Sequence, residues 1–239
     1  MISCLNFFVS AGCCAAIVSS THAYASDYAM SPIQFPSAFD NNAMSQIGKR
    51  YDDPKTDPNA AKDIRELLKY TASVDQTRSN FSKFATSLSS TNPEASKQWL
   101  AAFNATDPLI QLAGLLKSYE LRADDVSHAY TAWWISTWQA ANSTNQEVSS
   151  GTAQSMAASA ARTMVSSPDF SKLNNAQRQL FAQSMLFRAL VIKATIAGFQ
   201  KDPKMLQQFA TSVKDDAKAN GLRLDVLVST NQGIKFLPK

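Results

Sequence analysis

The apolar residues of this chain recur at a spacing near 3.6, the repeat of helices that bury one face. The densest run is residues 124–142, DDVSHAYTAWWISTWQAAN, which holds Trp133, Trp134 and Trp138 of the four tryptophans, together with Tyr130. Val126, Ala129, Tyr130, Trp133, Thr137 and Ala140 or Ala141 share one face, Trp134 and Trp138 widen it, and Ile135 lies nearly opposite. A helix apolar around most of its circumference packs between neighbours, and each aromatic ring brings roughly 150–250 Å² to bury. The pattern predicts a central helix around which the others assemble.

The same period runs through the rest of the domain. Ala61, Ile64, Leu67 and Leu68 form a stripe to Tyr70, and Val74, Thr77, Phe81, Phe84, Ala85 and Leu88 continue it. Trp99, Leu100 and Phe103 give the next helix a face, and Leu109, Leu112, Leu115, Leu116 and Tyr119 the one after. Residues 142–151 are polar and read as a loop before a small-residue helix over 152–166 with Met156, Ala160, Met164 and Val165. Pro168 stops that helix, because its ring disfavours the α conformation in the preceding residue.

Asn174 or Asn175 then starts the longest helix, to about Gln200, with Leu180, Phe187, Val191, Ala194 and Gly198 on one side and Leu186, Leu190 and Ala197 on another. Arg188 and Lys193 interrupt its apolar run, which argues against a membrane span. In the last long helix Leu206, Phe209, Ala210, Val213 and Ala217 face inward, and Asn220-Gly221 ends it, glycine suiting the left-handed position there. Residues 222–234 are too short for more than a turn or one strand. Asp57-Pro58, Asn92-Pro93, Asp107-Pro108 and Asp202-Pro203 each pair a capping side chain with a proline at the first helical position. The fold class is all-α, one orthogonal or bundle-like domain of about six to eight helices over residues 58–239.

Composition narrows this reading. Seven glycines are too few for a turn-dense β protein, and 45 % apolar with 18 % charged residues is globular. The net charge of +4 comes from scattered lysines and arginines, with no run longer than Lys49-Arg50, so no nucleic-acid stripe exists. The first 25 residues contain no Asp, Glu, Lys or Arg and carry an apolar stretch, and Ala23-Tyr24-Ala25 supplies a small–x–small cleavage pattern before Ser26. That is the pattern of a secretory signal peptide, with lipidation at Cys13 as the alternative. Cys4, Cys13 and Cys14 all lie within it, so cleavage leaves a chain without thiols. Residues 26–57, with Pro32, Pro36 and Pro54 and little periodicity, read as a disordered lead-in. The expectation is an exported protein, periplasmic or extracellular, with no membrane span after cleavage.

The order of motifs resembles a bacterial family of exported helical proteins known only as a domain of unknown function. The resemblance runs from about Tyr70 to Ile234. It is carried by Leu121-Arg122-Ala123-Asp124-Asp125-Val126, Ala129-Tyr130, Trp134, Trp138, Gln179-Leu180, Asp202-Pro203, Gly221-Leu222 with Leu224, and Thr230-Asn231-Gln232-Gly233. Where the family often has glycine this chain has Glu120; where it has an acid, His128; where it has Asp, Arg223. A glutamate puts in doubt a left-handed helix ending at 120, since a non-glycine residue there costs about 1 kcal/mol. The resemblance implies an exported helical domain and no established activity.

Catalytic parts are sparse. His128 is the one histidine left after cleavage, and Asp124 stands four residues before it, a spacing that normally gives a surface pair. No Gly-x-Ser-x-Gly elbow, metal-ligand set or phosphate loop accompanies it. Asp52-Asp53, Asp124-Asp125 and Asp215-Asp216 are sequence neighbours, which do not face each other on a helix; Asp124 and Asp125 suit a helix start. No catalytic, cofactor or metal residue is therefore assigned. Tyr130, Trp133, Trp134 and Trp138 are the candidate binding groove, weighed against the plainer reading that they are core. The expected function is a non-catalytic binding or assembly module for an unknown protein or envelope component. The alternative is an envelope-acting hydrolase using carboxylates gathered from separate helices.

Overall fold

The computed structural model describes residues 64, 67–90, 93–105, 108–219, 222, 224, 227–230 and 233–236. The leader, the 26–57 segment and the helix start at Asp57-Pro58 lie outside the described residues. Among the described residues eight α-helices follow in order: α1 Val74–Ser87, α2 Pro93–Ala105, α3 Pro108–Lys117, α4 Val126–Ala141, α5 Ser150–Val165, the single turn α6 Pro168–Ser171, α7 Asn175–Phe199 and α8 Pro203–Ala219. A 3-10 turn, Leu88–Ser90, extends α1. The domain is all-α, with one small addition. Strand β1, Leu227–Thr230, pairs antiparallel with β2, Gly233–Phe236, in a register that sets Thr230 opposite Gly233. The tail thus holds two paired strands, more than the turn or single strand the sequence pattern allowed.

The helix starts obey local chemistry. Helices α2, α3 and α8 begin at Pro93, Pro108 and Pro203, and Asp202 Oδ1 accepts the Met205 N–H at 3.1 Å. Ser73 and Ser149 accept from the N–H groups of Gln76 and Thr152, each at 3.2 Å. Asn174 and Gln177 form a reciprocal capping box at the head of α7, both bonds at 3.0 Å. Beyond Pro168 the chain makes the turn α6, which the apolar pattern does not show, and buries Phe170 against Phe181.

All sixteen residues of α4 are buried. Three of its buried hydroxyls spend their hydrogen bonds on the helix itself. Thr131 donates to Ser127 O, Ser136 to Ala132 O and Thr137 to Trp133 O, at 2.8–2.9 Å. The long helix α7 packs most extensively against α4, with α5 and α8 also on α4 and α1 on α7. In α7 the fully buried positions are Ala182, Met185, Leu186, Ala189 and Ile192, with Phe181 and Ile196 nearly so. The predicted stripe of Leu180, Val191, Ala194 and Gly198 is only partly buried, and Ala197 is exposed. By length and composition α7 alone among the described residues could cross a bilayer, yet 72 % of its apolar window is buried inside the fold.

A second aromatic cluster lies away from the tryptophans of α4. Phe81 and Phe84 of α1, Trp99 and Phe103 of α2 and Phe187 of α7 stack at centroid distances of 4.8–6.0 Å. Edge-on and tilted rings at such distances add to plain burial. This cluster fastens the α1–α2 pair to α7.

Ile64 is helical, as the predicted stripe has it, but from Leu67 to Tyr70 the chain has left that helix. The chain turns at Leu67 and Leu68, and Lys69 makes an isolated antiparallel bridge with Asp125. Leu67 is 57 % exposed and Val74 56 %, so neither belongs to a buried face. Leu68 and Tyr70 are buried instead.

Candidate functional site

The four aromatics proposed for a groove are interior. Tyr130, Trp133, Trp134 and Trp138 are 0, 3, 1 and 3 % exposed, and Tyr130 and Trp133 pack ring to ring at 5.5 Å. They line no open groove in this fold; they are the core of α4. The cause lies in α4 itself, which is enclosed on every side rather than on one.

His128 also turns inward, and the expected surface pair with Asp124 does not form. The imidazole is 4 % exposed, and its Nδ1 accepts the Arg122 backbone N–H at 2.9 Å. An accepting Nδ1 places the proton of the neutral ring on Nε2. Asp124 is taken instead by Arg122, with Nε to Oδ1 at 2.8 Å and a second bond from Nη2 to Oδ2. That pairing holds the Asp124 carboxyl below its ordinary range. Asp125 caps α4, its Oδ1 accepting from Ser127 N–H at 2.9 Å, Ser127 Oγ at 2.7 Å and His128 N–H at 3.3 Å. The two aspartates thus sit at a helix start, as the motif suggests, and both are occupied there.

The segment from Lys69 to Ser73 is held on two edges. On one, Val126 N–H donates to Leu68 O at 3.2 Å and Tyr70 N–H to Asp124 O at 3.0 Å, with the Tyr70 hydroxyl donating to Ala123 O. On the other, side chains of α7 imitate a neighbouring strand. Asn175 exchanges two bonds with the Thr71 backbone at 2.8 and 2.9 Å. Gln179 does the same for Ser73 at 3.2 and 3.0 Å, and Arg178 reaches Lys69 O at 3.4 Å. Burial, reinforced by Asp124 and Asp125, pushes the Tyr70 hydroxyl well above the ordinary tyrosine range, so it remains a donor.

Deeper between α1 and α7 runs a ladder of amides. Asn80 Nδ2 donates to Gln183 Oε1 and Gln183 Nε2 to Thr77 Oγ1, both at 2.8 Å. Gln179 Nε2 reaches the same hydroxyl at 3.0 Å, and Gln76 Nε2 donates to Asn80 Oδ1 at 2.7 Å. A satisfied buried network fixes register between two helices.

A further polar cluster gathers around Tyr119, in the turn after α3. Lys193 of α7 places Nζ 3.5 Å from the Tyr119 hydroxyl and 6.0 Å from its ring centroid. Glu147, in the loop between α4 and α5, and Gln139 of α4 act electrostatically on that hydroxyl. Burial, with Glu147 beside it, raises the Tyr119 hydroxyl far above its ordinary range. Burial lowers the Lys193 amine, an effect that Glu147 partly opposes. Gln139 Nε2 also donates to Gln146 O at 2.9 Å, while its buried Oε1 has no hydrogen-bond partner among the described residues. Tyr119 and Gln139 are buried, Lys193 is partly exposed and Glu147 is exposed, so the cluster opens to solvent at the Glu147 side. On the same helix Arg188 is 4 % exposed, and burial lowers its guanidinium to about 10, still charged at neutral pH.

Sequence reasoning did not assemble this cluster. Its one signal was Lys193 interrupting an apolar helix. Tyr119 read as core, and Glu147 as part of a polar loop. Among the described residues no three His, Cys, Asp or Glu side chains gather in a metal-binding group. In comparisons with known proteins, the chain matches no family model, no curated protein and no solved structure.

Proposed function

We propose that this chain is an exported helical module that works by non-covalent association with a protein or envelope component, and that it belongs with the exported family it resembles. The observation that carries the reading is what its would-be catalytic side chains do. His128 is committed to the Arg122 backbone, Asp125 to the head of α4 and Asp124 to Arg122. Each of these contacts holds the fold, and the site aromatics are core. A hydrolase of the carboxylate type would need two acids facing one another across a cleft. Asp124 and Asp125 are each committed to a separate task at the head of α4. Residues 1–25 supply the export signal, with Ser26 the first residue of the mature form, in the periplasm or outside the cell.

The test uses the mature protein, captured on envelope material with and without residues 26–57. Retention of the same partner after EDTA treatment and after His128→Ala is the expected result. Turnover of peptidoglycan, peptide or ester substrates, abolished without unfolding by replacing one carboxylate, would sink it. N-terminal sequencing of the exported form decides between Ser26 and a lipidated Cys13.

A further inference from the structure

We propose that the groove holding residues 68–73, between the turn before α4 and the first turns of α7, is a peptide-binding site filled by the chain's own strap. The partner it fits is an extended segment carrying leucine and tyrosine two residues apart. Backbone groups of successive residues in an extended chain point to opposite edges, and the strap is read on both. Leu68 and Tyr70 turn theirs to the α4 side, where Leu68 O accepts the Val126 N–H and Tyr70 N–H donates to Asp124 O. Lys69, Thr71 and Ser73 turn theirs to α7. Arg178 donates to Lys69 O. Asn175 and Gln179 each exchange two bonds, one with the N–H and one with the carbonyl of a single residue.

The spacing makes α7 a reader of main chain. Residues four apart on a helix rise about 6 Å, close to the roughly 6.6–6.8 Å between alternate residues of a strand. Asn175 and Gln179 therefore meet Thr71 and Ser73 in step. A side-chain amide that takes both backbone groups of one residue asks nothing of that residue's side chain, and Thr71, Ala72 and Ser73 are all exposed. Selection falls to two positions: buried Leu68, and buried Tyr70, whose hydroxyl donates to Ala123 O. The strap's exit into α1 is open to solvent from Thr71 to Val74, so the strap can lift away while α1 stays folded. An incoming segment with the same two side chains then takes the same bonds. The site rests on the association reading above and deepens it, naming the surface and the chemistry of the partner.

The test uses the purified full mature protein and a capped, fluorescein-labelled peptide of residues 67–73, followed by fluorescence anisotropy. Apparent affinity scales with the fraction of molecules whose strap is out, so loosening the strap must tighten peptide binding. Thr71→Pro removes the N–H given to Asn175 at an exposed position, and should tighten binding about fivefold, the effect of one lost hydrogen bond. Tyr70→Ala should tighten it further; if its thermal melt shows it unfolded, Thr71→Pro alone decides. The same peptide carrying Tyr70→Ala should bind none of these proteins. No binding to folded Thr71→Pro, or an affinity equal to that of the unaltered protein, would overturn the site. Binding of the altered peptide at the same strength would do so too. Dimers of Thr71→Pro by light scattering, with no peptide bound, would give the groove to the strap of a second copy and also overturn it. Capture on envelope material is read separately. Its loss with peptide binding intact counts against the association reading and leaves the groove standing, and the reverse result overturns the groove alone.

Discussion

Two helices end on a residue in the left-handed region, and neither residue is glycine: Glu120 at φ 54° and Ser143 at φ 50°. At the first, Glu120 N–H donates to Lys117 O at 3.2 Å and Leu121 N–H to Leu116 O at 3.1 Å, the paired bonds of a Schellman ending. The second repeats it, Ser143 N–H to Ala140 O and Thr144 N–H to Gln139 O, both at 3.0 Å. The doubt that Glu120 raised is thereby answered: the ending forms despite the side chain. Buried Leu116 and Leu121 hold it from below, and Gln154 Nε2 donates to Glu120 O at 2.6 Å from α5. The strain is still present. Glu120→Gly should relieve about 1–2 kcal/mol of it against about 0.5–1 kcal/mol of lost chain entropy, a net gain of up to about 1.5 kcal/mol. A higher urea midpoint at unchanged slope is the expected readout, and Glu120→Ala, which keeps the strained geometry, should show no such gain. At the same scale Trp133→Ala should cost about 3–5 kcal/mol, the range for a deleted core aromatic. His128→Ala comes closer to it than a surface histidine would, because it removes the acceptor of the Arg122 N–H, a loss of about 1–3 kcal/mol. Equal denaturation midpoints for His128→Ala and the unaltered protein would contradict the contact.

Among the elements, what was legible in the sequence was local. Proline beside a capping acid or amide acts within one turn, and helices begin at Pro93, Pro108 and Pro203 where the pattern puts them, while α5 begins two residues before the expected Thr152. The identity of the central helix was legible too, because sixteen residues with so little exposed polarity have no face to show water. What was not legible depends on pairs far apart in sequence. Asn80 and Gln183 are separated by 103 residues, and nothing near either one announces the other. The same is true of the 69–73 segment, whose partners lie on Asn175 and Gln179, and of Lys193 with Tyr119, 74 residues apart. The amide ladder makes a prediction at this scale. Gln183→Leu leaves Asn80 Nδ2 without that acceptor and takes a donor from Thr77, so it should cost about 1–3 kcal/mol for each group stranded. In a double-mutant cycle with Asn80→Leu the two losses should fall short of additivity by about 0.5–3 kcal/mol. Strict additivity would mean that the two side chains do not act together.

For the whole molecule, the question is where the folding unit begins. The periodicity argued for a helix from Asp57-Pro58 through Tyr70, which would make everything after Pro58 one continuous helical body. Ile64 is helical, and after it the described chain turns at Leu67 and Leu68 and runs on as an extended strap clamped between the turn before α4 and the first turns of α7. That strap buries Leu68 at 2 % and Tyr70 at 6 % exposure, each worth roughly 1.5–3 kcal/mol as a fully buried side chain. Its removal would also leave Gln179 and Asn175 without the backbone groups they bind. Helix α1 begins directly after it at Val74, so helical boundaries alone would place the domain edge there. The hydrogen bonds place it earlier. A chain starting at Ile64 should therefore melt cooperatively near the temperature of the mature protein, whereas one starting at Val74 should lose several kcal/mol and expose the α4–α7 seam. Amide exchange reads the second point separately: protection should fall first at Val126, whose N–H donates to Leu68 O. If both truncations melt alike, the strap is an appendage and the fold is complete without it.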